Sequence, residues 1–372
     1  MRSRPLFWLC ILALGFALST AVQAATYRGL IGKQAVVVEL FEQDNGQPRE
    51  GQYAYLAHGQ VLLLKSGGES VLLTEYRGPA SSEEAAISGY WQLQRQGNGW
   101  QGRWMKQPGE QGLPITLEPA RLPKNIKALL RRQDGGQIHS DFDLLLATSP
   151  ARKLHTSKMQ RKAGTIVAPQ HWQRGKLRIE GFVLAKPEQP GDARINDLLR
   201  LQLQQAIGDA EQCEAGAPSG LSDYAQHDTL RYASLRYLSV TTLQDYFCGG
   251  AYPNSGSTAQ VYDRRSGRSV DLGTEVYQID GAKQAEFRKL VASHLAATEH
   301  SAETGYGTSP LGELENESMP WLSLNGIDAD GVVVGLRYPH VAQAGDMDIT
   351  IPYASMQPFL RPESRHDFLK QH

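Results

Sequence analysis

From Thr26 to about Pro123, apolar and polar residues alternate in short runs broken by turn residues. "TYRGLIG", "QAVVVELF", "GQYAYLA", "QVLLLKS", "SVLLTEY", "AISGYWQLQ", "GWQGRWMK" and "LPITLEPA" follow one another at nearly regular spacing, separated by turns such as Asn45-Gly46 and Gly97-Asn98-Gly99. The period of two at Tyr53/Tyr55, Leu62/Leu64 and Trp91/Leu93 is what a half-buried antiparallel sheet requires. Eight such strands predict an all-β meander over residues 25–123, closed into a small barrel or folded as a sandwich. A barrel mouth could hold a ligand, but small barrels are commonly filled by their own side chains. Trp91, Trp100, Trp104, Tyr53, Tyr55 and Tyr90 could stack on sugar rings. Aromatics also build small β cores, and core is the favoured reading.

Residues 124–175 lose this regularity and read as a connector. "NIKALLRRQ" suggests a short helix and "FDLLLATS" a strand or apolar turn. "ARKLHTSKMQRKAG" is a basic run that fits a solvated link better than a contact with an anionic glycan. From residue 176 the pattern mixes two periods. "KLRIEGFVLA" reads as a strand. Asp192, after Pro190-Gly191, signals a helix cap, and Ile195, Leu198, Leu199, Leu203, Ala206, Ile207 and Ala210 then share one helical face. "LRYASLRYLSVTTLQDYF" and "TAQVYDRR" read as strands. A second helix from about Gly281 to Thr298 buries Phe287, Leu290, Val291 and Leu295. "WLSLNGI", "GVVVGLRYP" and "DITIPY" finish the pattern before a tail at 363–372. Two main helices on a mixed or antiparallel sheet predict an α+β domain over 176–362, and α+β as the class of the whole chain.

The first 24 residues change the picture of where the chain works. Arg2 and Arg4 precede an apolar stretch from Leu6 to Leu18, and Ala21-Val22-Gln23-Ala24 fits a small-x-small cleavage signal. The stretch is short for a membrane span, and Cys10 lies inside it rather than at the cleavage point, which argues against a lipid anchor. A Sec-type signal peptide implies a periplasmic or secreted protein with no membrane span after cleavage. Removing two arginines and no acid takes Lys+Arg from 38 to 36 against 39 Asp+Glu, a balance of −3. That is no footprint for nucleic acid or an anionic membrane.

Cleavage also leaves two cysteines, Cys213 and Cys248, which should pair in an oxidising compartment. A free redox thiol would want a Cys-x-x-Cys spacing, and a zinc site would want clustered histidines. No two of the ten histidines stand four apart, so no metal site and no cofactor are expected. His294 reads as a core or boundary residue. Asp328 to Gly331, "DADG", lacks the remaining ligands of a calcium loop and reads as a hairpin turn. No nucleophile elbow, phosphate loop or dinucleotide fingerprint occurs, and Gly312 to Ser318 is an acidic loop.

The turn "YFCGGAYPN", the strand end "YDRRSGRSVDL" and the finish "WLSLNGIDADGVVVGLRYPHVAQAGDMDITIPYASMQPFL" resemble the C-terminal extracytoplasmic domain family of RsiV and PdaC, over about residues 177–360. Gly249, Gly250, Ala251, Pro253, Asn254, Asp263, Gly267, Gly335, Leu336, Pro339, Gly345, Ile351, Pro352 and Tyr353 carry the resemblance. Tyr252 stands where the family has histidine, so no imidazole chemistry transfers to that turn. The resemblance implies a recognition or accessory domain at the cell envelope, since RsiV binds lysozyme and PdaC's deacetylase domain has no counterpart here. Gly249, Gly250, Ala251, Tyr252, Pro253 and Asn254 are the candidate binding residues, on a loop restrained by glycine geometry and the adjacent cysteine. The expected function is non-enzymatic binding of a protein such as lysozyme or of a peptidoglycan-type glycan. The alternative is an envelope hydrolase with a carboxylate-based site between domains.

Overall fold

The computed structural model describes residues 24–42, 46–67, 72–77, 86–122, 140–217, 221–297, 314, 321–338 and 346–364. The expected signal segment apart from Ala24, the "NIKALLRRQ" helix and, apart from Leu314, the acidic loop lie outside them.

Eight strands form a closed antiparallel barrel: β1 (Ala24–Ile31), β2 (Gln34–Glu42), β3 (Pro48–Tyr55), β4 (Val61–Ser66), β5 (Leu72–Arg77), β6 (Ala86–Gln96), β7 (Gly99–Met105) and β8 (Leu113–Pro119). Closure comes from β1 pairing with β8, Gly29 opposite Leu117. No side chain fits at Gly29, because a Cβ there would run into the Thr116 carbonyl. Inward positions such as Tyr53, Leu64, Leu73, Trp91, Trp100 and Leu117 are fully buried and fill the interior. The aromatic residues thus make core rather than an exposed stacking platform.

Helix α1 (Asp141–Ala147) occupies the stretch expected to be a strand or apolar turn. Ser140 caps it through Asp143 N–H. Part of the expected connector is also strand. β9 (His155–Thr156), β10 (Gln160–Lys162) and β11 (Thr165–Arg174) join β12 (Leu177–Leu184) in a large sheet, so the region 124–175 is not a plain connector. Helix α2 (Asp192–Gly216) crosses from β12 to β13 (Asp223–Ala233), which pair in parallel. β14 (Tyr237–Phe247), β15 (Asn254–Asp263) and the short β16 (Arg268–Val270) complete the sheet by antiparallel hairpins. The apolar face of α2, Ile195, Leu198, Leu199, Leu203 and Ile207, packs on one side of this sheet.

A π-helical turn (Leu272–Val276) leads to helix α3 (Ala282–Ala297). A three-stranded sheet follows, in the order β17 (Trp321–Ile327), β18 (Gly331–Arg337), β19 (Met347–Pro352), and then the one-turn α4 (Tyr353–Met356). Phe287, Val291 and Leu295 of α3 share a core with Val332, Val334, Leu336 and Ile351 of this sheet and Tyr237 and Val261 of the large one.

The α+β assignment is therefore corrected. Strands account for 52% of the described residues and helices for 23%, and sheets set the architecture in both halves. The physical reason is continuity. β13 and β14 each run for eleven residues, and exposed polar segments before Leu177 add strands that carry little hydrophobic signal. Two amphipathic helices weigh heavily in a periodicity argument but fill only one layer each.

A candidate recognition groove

The sequence-derived site lies at the tip of the β14–β15 hairpin. Tyr246 pairs with Asn254, leaving Cys248 to Pro253 as the connection. Gly249 and Gly250 have φ of 90° and 101°, which residues with a Cβ rarely adopt. A Cβ on Gly250 would meet nothing within 4 Å, so the glycine is needed for its backbone angle and not for space. Cys213, near the end of α2, is bonded to Cys248, and this disulfide ties the hairpin base to the helix. Tyr252 stands 72% exposed. Ala251 and Pro253 are exposed too.

A concavity that does not include the hairpin tip lies in the second half of the chain. A half-open groove of about 600 Å³ lies between β17, the N-terminal half of α3 and the π-helical turn. Trp321, Leu322, Ser323 and Leu324 line it from the strand, and Gln284, Phe287 and Arg288 from the helix. Asp271, Gly273 and Thr274 line it from the π-helical turn and its entry, and Ile279, Asp280 and Arg361 complete the lining. Trp321 is 59% exposed, an unusual position for so large an apolar ring.

The frame around the groove is rigid. Asp271 Oδ1 accepts hydrogen bonds from Gly273 N–H (2.8 Å) and Thr274 N–H (3.1 Å), which fixes the turn. Glu275 is held by Arg268 (2.5 Å), and that hydrogen bond outweighs burial to keep its carboxyl below the usual range. Arg361 donates Nε–H to the Tyr277 carbonyl, and Arg361 N–H binds the Val276 carbonyl. Arg288 Nε–H reaches the Leu314 carbonyl at 3.4 Å. Beneath, Phe287 meets Phe359 edge to face, with ring centroids 5.6 Å apart.

Three carboxyl groups buried elsewhere bear on the acid-catalysis alternative. Glu75, inside the barrel, accepts from Tyr53 Oη (2.6 Å), Trp104 Nε1 (2.7 Å), Trp91 Nε1 (2.9 Å) and Ser88 Oγ (2.7 Å). Burial first, and then the Glu75 charge, push the Tyr53 hydroxyl far above its ordinary range. Glu211 bridges Arg152 (2.8 Å) and Arg174 (3.0 Å) where α2 meets the barrel. Burial raises its carboxyl, and the two guanidiniums pull it part of the way back. Asp228 lies under α2, accepting from Thr242 Oγ1 (2.8 Å) and Gln226 Nε2 (3.1 Å), and burial pushes it up to about 6. None of the three lines the groove. Among the described residues, no three His, Cys, Asp or Glu side chains are placed to hold a metal ion.

Among the described motif residues beyond the hairpin tip, Asp263, Gly267 and Tyr353 shape turns. Asp263 Oδ1 accepts from Arg265 and Ser266 N–H, shaping the turn to Gly267 (φ 69°). That turn packs against Gly191, and Arg264 clasps Asp192 with two hydrogen bonds of 2.9 and 2.7 Å. Asp192 therefore begins α2 after the cap residue Gly191, and its carboxylate points back to Glu188 and Gln189 N–H. Burial would raise the Asp192 carboxyl, but Arg264 and those two amides hold it below the usual range. Tyr353 Oη binds the Asp328 carbonyl, and the Asp328 carboxylate accepts from Asp330 and Gly331 N–H to form the β17–β18 turn. Pro339 and Gly345 lie outside the described residues.

Sequence reasoning missed the groove because Asp271, Arg288, Trp321 and Arg361 come from four separate segments. The one available signal was a tryptophan opening a strand just after an acidic loop. No protein-family model and no curated protein matches the chain. A DUF3298 family protein from Pseudomonas aeruginosa PAO1 is similar in structure at 15% identity and a TM-score of 0.35, over 57% of this chain and 96% of that one. A DUF3298 member from Bacteroides fragilis is similar at 15% identity and a TM-score of 0.34, over 56% of this chain and 92% of that one.

Proposed function

We propose that the chain is an exported, non-catalytic recognition protein of the bacterial cell envelope, acting in the periplasm or outside the cell. Its ligand is a protein such as lysozyme or a peptidoglycan-type glycan. The observation that carries this reading is the exposed Trp321 ring standing over a half-open groove whose polar walls are fixed by internal hydrogen bonds. A fixed frame loses little entropy on binding, and an exposed aromatic is the residue type that most often dominates binding energy. The Cys213–Cys248 disulfide supports an oxidising compartment. Among the described residues no helix is long and apolar enough to cross a membrane. The resemblance to the RsiV and PdaC domain supports a recognition role.

Isothermal titration of the disulfide-bonded chain with lysozyme and with chitotetraose tests the reading. Binding of one of them, weakened at least about tenfold by Trp321→Ala, is the expected outcome. Equal binding by Trp321→Ala and loss in Tyr252→Ala would move the site to the hairpin tip, where Tyr252 is the exposed anchor. Release of products from either substrate would replace recognition by catalysis.

A further inference from the structure

We infer that the exposed face of the large sheet carries a site for a divalent transition-metal ion, copper(II) before zinc(II), held by the cross-strand pair His155 and His171 with water completing its shell. Neither histidine lines the groove, so the site stands apart from the recognition reading.

Strand pairing is the first ground. His155 and His171 are far apart in the chain, at a spacing that no metal motif uses. The antiparallel ladder between β9 and β11 sets them directly opposite each other, and opposite residues share a face of the sheet. That face is the one away from α2, because the next residue, Trp172, packs into the core beneath the helix. Both histidines are exposed, and their ring centroids stand 5.6 Å apart with the planes tilted by 30°. A metal-bound imidazole nitrogen lies about 2.0–2.1 Å from the ion, which puts the ring centroid roughly 3 Å away, so two rings at a tetrahedral angle stand about 5 Å apart. The pair therefore stands near that separation before any ion draws it in.

The surroundings are the second ground. His171 Nδ1 lies 3.3 Å from Ser157 Oγ. With Nδ1–H donated to that hydroxyl, Nε2 keeps the lone pair that a metal takes, and the ring is oriented as ligating histidines are. The register continues across the sheet: Glu180 of β12 is opposite His171 on its other side, and His227 of β13 pairs with Glu180. Four adjacent strands thus present one exposed row, His155, His171, Glu180 and His227. Glu180 Oε2 is 3.1 Å from His227 Nδ1, so its carboxylate is engaged on the far side and adds negative charge beside the pair rather than a bond to the ion. Among the described residues no three such groups meet at one point, which leaves two imidazoles and water as the shell. Lys153 and Lys158 flank β9 in sequence and oppose a cation, so affinity rests on the metal–nitrogen bonds. Imidazole suits copper(II) and zinc(II), with copper(II) the tighter, whereas magnesium prefers oxygen ligands.

The test titrates copper(II) into the untagged, disulfide-bonded chain by calorimetry and records the electron paramagnetic resonance spectrum of the loaded protein. The spectrum of the tightest-bound ion should show coupling to two imidazole nitrogens. His155→Ala and His171→Ala should each weaken that binding at least about tenfold, the least that even an outer-shell change costs a metal site. Both positions are exposed, so circular dichroism of either variant should match the parent. His227→Ala should leave the affinity unchanged, zinc(II) should bind more weakly than copper(II), and magnesium should give no heat. Absence of copper(II) binding tighter than about 1 mM overturns the inference. So does coupling to a single nitrogen, or magnesium binding as tight as copper(II). Loss of binding in His227→Ala with retention in His155→Ala would put the ion at the Glu180–His227 pair and overturn it as well.

Discussion

A buried carboxyl's neighbours decide whether it stabilises the fold. Glu75 and Asp228 are both within the interior, but Glu75 collects four donors and Asp228 two. For Asp228 burial dominates and the group titrates near 6. The unfolded chain releases that proton near 4, so between about pH 4 and pH 6 the folded state binds more protons than the unfolded one. Stability then falls as pH rises through this window, by up to about 3 kcal/mol, and is level above it. Asp228→Asn removes the ionisable group. It should flatten that slope and leave the variant more stable than the parent at pH 7, as urea melts at pH 4, 5, 6 and 7 would report. An unchanged slope would mean that the proton is held elsewhere.

At the scale of elements, the clasp between α2 and β14 is the feature with the largest expected effect. The bond spans 35 residues, for which loop closure in the unfolded chain corresponds to about 3–4 kcal/mol. Cys213→Ser with Cys248→Ser should therefore lower the unfolding free energy by about that amount, read from urea melts. Binding at the groove should persist, because no groove residue touches the clasp. Loss of Trp321-dependent binding in the reduced variant would instead couple the two regions. The clasp was legible from the cysteine count and the compartment. The face of α2 was legible as well, since Ile195, Leu199 and Leu203 repeat at helical spacing and are buried. β9 and β10 were not, because all five of their residues are exposed and their sequence carries the charge of an edge rather than the alternation of a half-buried strand. The groove was illegible for another reason. Its walls are brought together by tertiary packing alone, and neither Asp271 nor Arg361 stands in a recognisable spacing with Trp321.

At the scale of the molecule, α1 joins the barrel to the large sheet. Phe142, Leu144, Leu145, Leu146 and Ala147 are all buried, and the exposed Asp141 and Asp143 are confined to the first turn, so the last turn has no polar face. A turn that is apolar all round must be covered all round. Val37 and Ala54 on the barrel's outer surface cover it from one side and Leu201 of α2 from the other. That is also why its sequence read as a strand or apolar turn, for the unbroken apolar run Leu144–Ala147 shows no 3.6-residue period. Beside it, Gly59 of the β3–β4 loop approaches the Glu211 carboxylate, which Arg152 and Arg174 share. Apolar burial and this ion triad together hold the two halves in one arrangement. A charge introduced at Leu145 would have no partner in either surface and would cost several kcal/mol if it stayed buried, so undocking becomes the cheaper response. Calorimetry should then resolve two transitions for Leu145→Asp, one for the barrel and one for the sheet domain, against one expected for the parent. Limited proteolysis should cut between the halves faster in the variant. A single transition at the parent's temperature would show that the ion triad alone suffices for docking, and Glu211→Gln in the same background would then be the change that separates the halves.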